Sequence, residues 1–411
     1  MTREERLLTL LMHTRANNAF YSDRCGGNTL ETWPYVTKAD LVLDQAKHPP
    51  YGTNTPFPLE QYSRIHQTSG TTTGVPLRWL DTPTSWQWLL DCWDFVYERA
   101  GVITTDRLFF PFSFGPFLGF WAAFESATRS GLFSLPGGGM AGTARLRHLR
   151  EHRINVVCCT PTYALHLAQI AREEQFDLPS AGVRLVIVAG EPGGQISTTR
   201  QQIESAWGAR VIDHYGLTEV GPAGVEPFDH PGELHINGNE FIAEVIEPGG
   251  TDPVAPGEIG ELVLTNLGRL GSPLVRYRTG DLVCPLPRET PSAFLRLKGG
   301  ILGRTDDMIH LRGNNLYPSA VEAVIRRFPE VAEFRVWLSE KESLAALRVE
   351  VEPLPHIPTE QVSSLAERLG QVFRDELLFR ADIRVVASGT LPRFEMKAKR
   401  FVRTGYGEVS S

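Results

Sequence analysis

The chain has 411 residues, of which 42% are hydrophobic and 22% charged, and its 48 acidic and 41 basic side chains leave a formal charge of −7. That length exceeds what one ordinary core holds, so two or three domains are expected. The acidic surplus disfavours nucleic acid as a partner, because a phosphate backbone asks for basic surface.

The five cysteines are Cys25, Cys92, Cys158, Cys159 and Cys284, and none forms a Cys-x-x-Cys pair. Their scatter suits reduced thiols and a cytoplasmic location. Cys158 and Cys159, in an apolar run, read as buried filler. The residues after Met1 do not lead into the apolar centre of a secretory signal. The most apolar stretch, 108–124, is interrupted by Pro111, Gly115, Pro116 and Gly119, too broken and short for a membrane span. No membrane partner is expected.

In chain order, 7–19 reads as an amphipathic helix and 34–41 as a helix start capped by Thr37. The central third alternates strands and helices. A strand over 153–159 leads through Thr160-Pro161-Thr162 into a helix over 163–173. A second strand, 183–189, ends at Gly190-Glu191-Pro192, and a third, 209–212, ends at Asp213-His214-Tyr215-Gly216. Such alternation implies a largely parallel sheet whose ligands lie beyond the strand carboxyl ends, where Thr160, Gly190 and Asp213 fall. From about 236 the pattern turns to strands and turns, clearest over 257–264. Beyond 303 come a Pro-started helix (318–327), alternating strands (333–351), a helix (359–378) and a final strand, a small α+β domain.

Five segments carry chemistry. The run Thr68-Ser69-Gly70-Thr71-Thr72-Thr73-Gly74 holds five hydroxyls and two glycines, so converging N–H and O–H donors suit phosphate oxygens. Val75 and Pro76 follow it where a Walker loop carries Lys-Ser/Thr. Taken alone, it also reads as a surface turn. In Tyr215-Gly216-Leu217-Thr218-Glu219 the tyrosine can stack on a flat ring, and Thr218 and Glu219 can hold phosphate and a hard cation. Alternatively, Tyr215 is core and Glu219 serves a helix start. In Tyr277-Arg278-Thr279-Gly280-Asp281 the carboxylate can accept two vicinal hydroxyls, or simply close a turn. Residues 303–318, rich in charge and glycine, lie at the expected domain boundary, where hinges occur. Residues 391–400 form a basic tail that by charge alone reads as a solvated face.

Taken in this order, the five segments resemble the adenylate-forming superfamily over nearly the whole chain. Within it the likeness is to phenylacetate–coenzyme A ligases and related aryl-acid ligases, through Thr37-Lys38-Ala39-Asp40-Leu41, Arg64-Ile65-His66, Gly190-Glu191-Pro192 and Glu395-x-Lys397-Ala398-x-Arg400. The resemblance implies an α/β fold: a large domain (1–303) with mostly parallel sheets flanked by helices and a β-rich subdomain, and a small mobile α+β domain (304–411), hinged near Asp306. It implies an ATP-dependent acid–thiol ligase that converts a carboxylic acid, here an aryl acid, to an acyl-adenylate and passes the acyl group to coenzyme A. The alternatives are transfer to a carrier protein or an amine, and a non-catalytic nucleotide-binding relative.

By the same resemblance, Thr68, Ser69, Gly70, Thr71, Thr72, Thr73 and Gly74 hold the β- and γ-phosphates. Thr218 meets the α-phosphate and Glu219 holds Mg²⁺. Asp213, Tyr215, Gly216 and the turn Gly190-Glu191-Pro192 surround adenine. Asp281 takes the ribose hydroxyls and Arg304 stands near ribose and phosphates. Lys397 bridges carboxylate, ribose oxygen and α-phosphate, and its arrival on a mobile domain suits a point charge needed in one step only. Arg312 and Gly313 line the pantetheine tunnel, and Phe112 and Phe117 wall the acid pocket. A homodimer is expected by family likeness. Three departures stand out: an extra Thr in the phosphate loop, Val75 in place of a frequent lysine, and Met396 in place of a glycine. Some relatives bind zinc through cysteines and histidine just after the Tyr-Gly motif; here 224–235 offers His230 and His235 but no cysteine, so no zinc is expected.

Overall fold

A computed structural model describes the chain except residues 69–75, 289, 291–293, 307, 308, 312, 313, 340–345, 356, 378, 395–397 and 405–411. The first helix, α1 (Arg3–Asn17), starts earlier than its apolar periodicity predicts. Thr2 Oγ1 accepts the Glu5 N–H at 3.2 Å and the Glu5 carboxylate accepts the Thr2 N–H at 2.8 Å, so a polar first turn is held by its caps. The expected cap on α2 (Lys38–Lys47) is present: Thr37 and Asp40 form the same reciprocal pair. A hairpin, β1 (Arg64–Gln67) and β2 (Arg78–Asp81), flanks the Gly/Thr loop. It leads into α3 (Pro83–Arg99), whose Trp86, Trp88 and Trp93 are all buried. With apolar residues around most of its circumference, α3 carries no clean amphipathic stripe for a sequence reading to find.

The central sheet follows as β3 (Arg107–Phe110), α4 (Leu118–Arg129), β4 (Phe133–Pro136), α5 (Gly142–Glu151), β5 (Val156–Cys159), α6 (Pro161–Glu173), β6 (Leu185–Val188), α7 (Ser197–Trp207) and β7 (Arg210–Leu217). Strands β4, β3, β5, β6 and β7 pair in parallel in that order. Then β8 (Gly221–Val225), β9 (Glu233–Ile236) and, later, β13 (Arg296–Lys298) extend the same sheet antiparallel, giving eight strands. The parallel arrangement predicted from alternation therefore covers five strands. It ends at β7, which pairs with β6 through Asp213 and with β8 from His214 onward. Gly216 allows that close return: a Cβ there would fall 2.9 Å from the Gly221 carbonyl oxygen.

A second, antiparallel sheet contains β10 (Phe241–Ile246), β11 (Gly260–Asn266), β12 (Tyr277–Val283) and β14 (Gly303–Arg304). Its four strands are the β-rich part expected after residue 236. The remainder comprises β15 (Ile309–Leu311), β16 (Asn314–Leu316), α8 (Pro318–Ile325), β17 (Val331–Ser339), β18 (Ala346–Pro353), α9 (Thr359–Glu376), β19 (Asp382–Val385) and β20 (Phe401–Thr404). Strands β19, β18, β17 and β20 make a mixed sheet under α8 and α9. Its buried core, which includes Val321, Phe334, Val349, Leu369 and Phe373, is separate from the two cores that cover the faces of the central sheet. Among the described residues no helix is long and apolar enough to cross a membrane, and the stretch 108–124 is divided between β3 and α4.

Candidate active site

The polar segments converge at the carboxyl ends of β5, β6 and β7, which lie side by side. There the chain leaves β5 at Thr160 and β6 just before Gly190, and β7 parts from β6 after Asp213, the arrangement in which open α/β sheets receive ligands. Gly194 brings its backbone against Asp213, since a Cβ at that position would stand 2.2 Å from Asp213 Oδ1. Burial and the neighbouring Glu226 push the Asp213 carboxyl up to about 8. Glu226 itself is fully buried, pairs with Arg200 and accepts the amide N–H groups of Asp213 (3.1 Å) and Gly232 (3.0 Å). Nothing in its local sequence marks Glu226, and it was not among the expected site residues.

Asp281 is the node of a second group. Its Oδ2 accepts the Tyr215 hydroxyl at 2.6 Å and its Oδ1 takes Arg304 Nη1 at 2.9 Å. Arg304 also forks onto Asp306, Nε to Oδ1 at 2.8 Å and Nη2 to Oδ2 at 3.1 Å. Four residues singled out separately in sequence thus form one chain of contacts, reaching from β7 through β12 to β14. Tyr215 is buried, and both its burial and the adjacent Asp281 raise its phenol far above the ordinary value, so it stays a donor.

Thr218 and Glu219 form the turn between β7 and β8. Glu219 is 3% exposed, and Lys38 Nζ stands 3.1 Å from its Oε1, with the Tyr277 hydroxyl 3.5 Å from the same oxygen. Lys38, the first residue of α2, was quoted only for its motif; its approach to Glu219 depends on tertiary packing. Behind the turn lies Arg269, fully buried. It holds Asp81 through two bonds of 2.7 Å and donates from Nη1 to the carbonyls of Thr218 (2.7 Å) and Glu219 (3.1 Å). His66, stacked on Trp86, closes on the same Asp81 from β1 at 3.8 Å.

Thr68 anchors one end of the hydroxyl-rich loop: its N–H donates to the Leu77 carbonyl, and its Oγ1 accepts the Leu77 N–H, both at 3.0 Å. Ser69, Gly70, Thr71, Thr72, Thr73 and Gly74 lie outside the described residues, as do Lys397, Arg312 and Gly313. Phe112 is buried against Phe114 and Phe120, while Phe117, half-buried, precedes α4. Gly190 and Pro192 are exposed on the turn after β6, and Glu191 bonds outward from it. The fold also gathers His230, Glu233 and His235, whose ligand atoms come within 4.8 Å of one another. His235 Nε2 already contacts Glu233 at 3.1 Å and Arg296 lies 3.7 Å from the same carboxylate oxygen, so the group is self-paired.

The family model described as AMP-binding enzyme matches residues 34–268, and the one described as AMP-binding enzyme C-terminal domain matches residues 313–404. The chain belongs to the adenylate-forming, AMP-binding enzymes. Within them it falls in the phenylacetate–coenzyme A ligase branch. The phenylacetate-coenzyme A ligase of Escherichia coli (strain K12) is 31% identical over 388 residues, covering 90% of this chain and 84% of its own. That of Pseudomonas putida is 29% identical, covering 96% and 91%. Among solved structures, 2-hydroxyisobutyryl-CoA ligase in its postadenylation state with 2-HIB-AMP matches with a TM-score of 0.90 at 25% identity, over 98% of this chain and 88% of that one. The same ligase in its thioesterification state, with 2-HIB-AMP and CoA, matches with a TM-score of 0.70 at 26% identity, over 97% and 88%.

Proposed function

We propose that this chain activates a carboxylic acid with ATP, forming an acyl-adenylate and pyrophosphate, and then transfers the acyl group to the thiol of coenzyme A. The observation that carries this reading is the joining of Tyr215, Asp281 and Arg304 into one hydrogen-bonded group beside the Thr218–Glu219 turn. Family membership and the likeness to coenzyme A ligases supply the class of reaction.

In the first step a carboxylate oxygen attacks the α-phosphorus and pyrophosphate leaves, so negative charge accumulates and must be met by fixed donors. Asp281 accepts the ribose hydroxyls, while Tyr215 and Arg304 hold its carboxylate in place. The hydroxyl-rich loop from Thr68 to Gly74 takes the outer phosphates. Lys397 supplies positive charge to the α-phosphate. Glu219, a buried carboxylate with hydroxyl-bearing Thr218 beside it, offers hard oxygen donors that fit Mg²⁺. Mg²⁺ bound there would neutralise part of the triphosphate charge. In the second step the small domain turns at Asp306, carries Lys397 away and sets Arg312 and Gly313 along the pantetheine path. An aryl acid is the first candidate substrate, given the phenylacetate-coenzyme A ligases among the relatives and the aromatic surroundings of Phe112.

The test is acid-dependent ATP–pyrophosphate exchange against phenylacetate, benzoate and short aliphatic acids including 2-hydroxyisobutyrate, followed by coenzyme A thioester formation with the best acid. Exchange that is lost in Lys397→Ala, together with a coenzyme A thioester product, is expected. Exchange without transfer to coenzyme A would move the chain to the carrier-protein or amine class. Exchange with none of these acids would overturn the substrate assignment.

A further inference from the structure

Glu191, on the turn after β6, uses its two carboxylate oxygens in two directions. Oε1 accepts the amide N–H of Thr162 at 2.9 Å, in the first turn of α6. Oε2 accepts the amide N–H of Ala398 at 2.7 Å, far away in the carboxy-terminal segment. Two residues further on, Arg400 Nη2 donates to Thr162 Oγ1 at 3.1 Å. The same guanidinium is fixed in the small domain by Glu333, through Nε at 2.6 Å and Nη2 at 3.1 Å. Arg400 and Glu333 are both buried. Both contacts come within three residues after Lys397 in sequence; that of Arg400 falls on the amino terminus of α6 directly, and that of Ala398 reaches it through Glu191.

Helix termini explain why a carboxylate belongs here. The first N–H groups of α6 have no acceptor within the helix and carry partial positive charge, which the side-chain oxygen of Glu191 meets at Thr162. A carboxylate so held can present its other oxygen to an amide of the small domain, as a charge-assisted hydrogen bond. Next to this contact lies a cleft of about 800 Å³, lined by Thr162, His166, Gln202, Arg326, Glu333 and Arg400, and bridged where Gln202 Nε2 of α7 donates to the Arg326 carbonyl at 2.7 Å. Over that stretch the two domains meet through a few directed polar contacts, the kind that can open without tearing an apolar interface.

We propose that Glu191 is a positioning residue: it latches the segment bearing Lys397 onto α6 while the acyl-adenylate is made, and it releases Ala398 and Arg400 when the acyl group goes to coenzyme A. The proposal rests on the reading of Lys397 as the lysine of the first step. It gives Glu191 a role different from the adenine wall that the family likeness implies. The arrangement in which the latch is made is the one shared with the postadenylation form of 2-hydroxyisobutyryl-CoA ligase.

The two half-reactions separate the roles. Full-length Glu191→Ala, Glu191→Gln, Thr162→Val and Lys397→Ala are assayed for acid-dependent ATP–pyrophosphate exchange. They are then assayed for thioester formation from supplied acyl-adenylate and coenzyme A, using the acid most active in the unmodified enzyme. Glu191→Ala is expected to lower exchange by about 10- to 30-fold, the scale of a lost charge-assisted hydrogen bond, with thioester formation within about 3-fold of normal. Glu191→Gln behaves similarly, because a neutral amide cannot accept both N–H groups. Thr162→Val, which keeps the shape and removes only Arg400's acceptor, is expected to lower exchange about 3- to 5-fold with the same selectivity. Intact thioester formation also shows that each variant is folded. Equal losses in both half-reactions would overturn the latch, as expected instead of an adenine contact. Unchanged exchange in Glu191→Ala would overturn it too. Should Lys397→Ala keep full exchange, the lysine assignment fails first, and the latch with it.

Discussion

Lys38 Nζ lies 3.1 Å from Glu219 Oε1, joining the first residue of α2 to the turn between β7 and β8. The carboxylate is almost fully buried, whereas the lysine keeps a quarter of its side chain exposed. Removing the lysine leaves a buried charge without its cation, so Lys38→Met is expected to destabilise the fold by about 1–2 kcal/mol, less than a fully enclosed pair would cost. If the two act as a unit, Lys38→Met/Glu219→Gln loses less stability than the sum of the single changes. Urea unfolding of all four proteins measures the coupling, and strictly additive losses would contradict the pairing.

Arg269 sits behind that turn with no exposure at all and serves Asp81, Thr218 and Glu219 together. Arg269→Met strands the buried Asp81 and frees two carbonyls, an expected loss of about 3–5 kcal/mol. Adding Asp81→Asn removes the orphaned charge and should return part of that stability. Thermal melting of the single and double variants decides the matter: a double variant no more stable than Arg269→Met would show that Asp81 is not the group left unpaired.

What could be read in the sequence, and what could not, divides along a physical line. Thr37 was legible as a cap because its partner, Asp40, is three residues away. Strands β5 and β6 were legible because both faces are covered and every residue is apolar. Helix α1 was found but begun too late, since its first turn is polar and held by Thr2 and Glu5. Tyr215, Asp281 and Arg304 each stood in a recognisable segment, yet the bonds among them span three strands and had no local signal. Lys38, Arg269 and Glu226 share that difficulty. Each is a charge whose reason is a partner distant in the chain, and one sequence carries no record of such pairs.

Asp213 offers a pH test. Burial and Glu226 push its carboxyl up to about 8, from an ordinary value near 3.8. Between those values the folded chain holds a proton that the unfolded chain has lost. Its contribution to stability is therefore fully present below about pH 4 and is lost as the pH rises towards 8. Asp213→Asn, neutral throughout, should escape this loss. Its melting temperature is expected to gain on that of the unmodified protein as pH rises from 5 to 8.5, with the two curves closest at the acid end. Parallel curves would place the Asp213 carboxyl in the usual acidic range.

Asp281 receives the Tyr215 hydroxyl on one oxygen and Arg304 on the other, which orients the carboxylate before any nucleotide arrives. If that carboxylate accepts the ribose hydroxyls, its replacement harms every step in which the adenylate is bound. Asp281→Asn turns one acceptor into a donor facing another donor, and is expected to raise the KM for ATP about 10- to 100-fold, the scale of one or two hydrogen bonds to a charged group. Tyr215→Phe keeps the ring and removes only the hydroxyl, so about 3- to 10-fold is expected. Both variants should weaken exchange and thioester formation from acyl-adenylate alike, the opposite of the split expected for Glu191. Exchange measured over a range of ATP concentrations separates KM from the maximal rate. An unchanged KM in Asp281→Asn would take the ribose away from this carboxylate and leave it the structural task of tying β7 to β12 and β14.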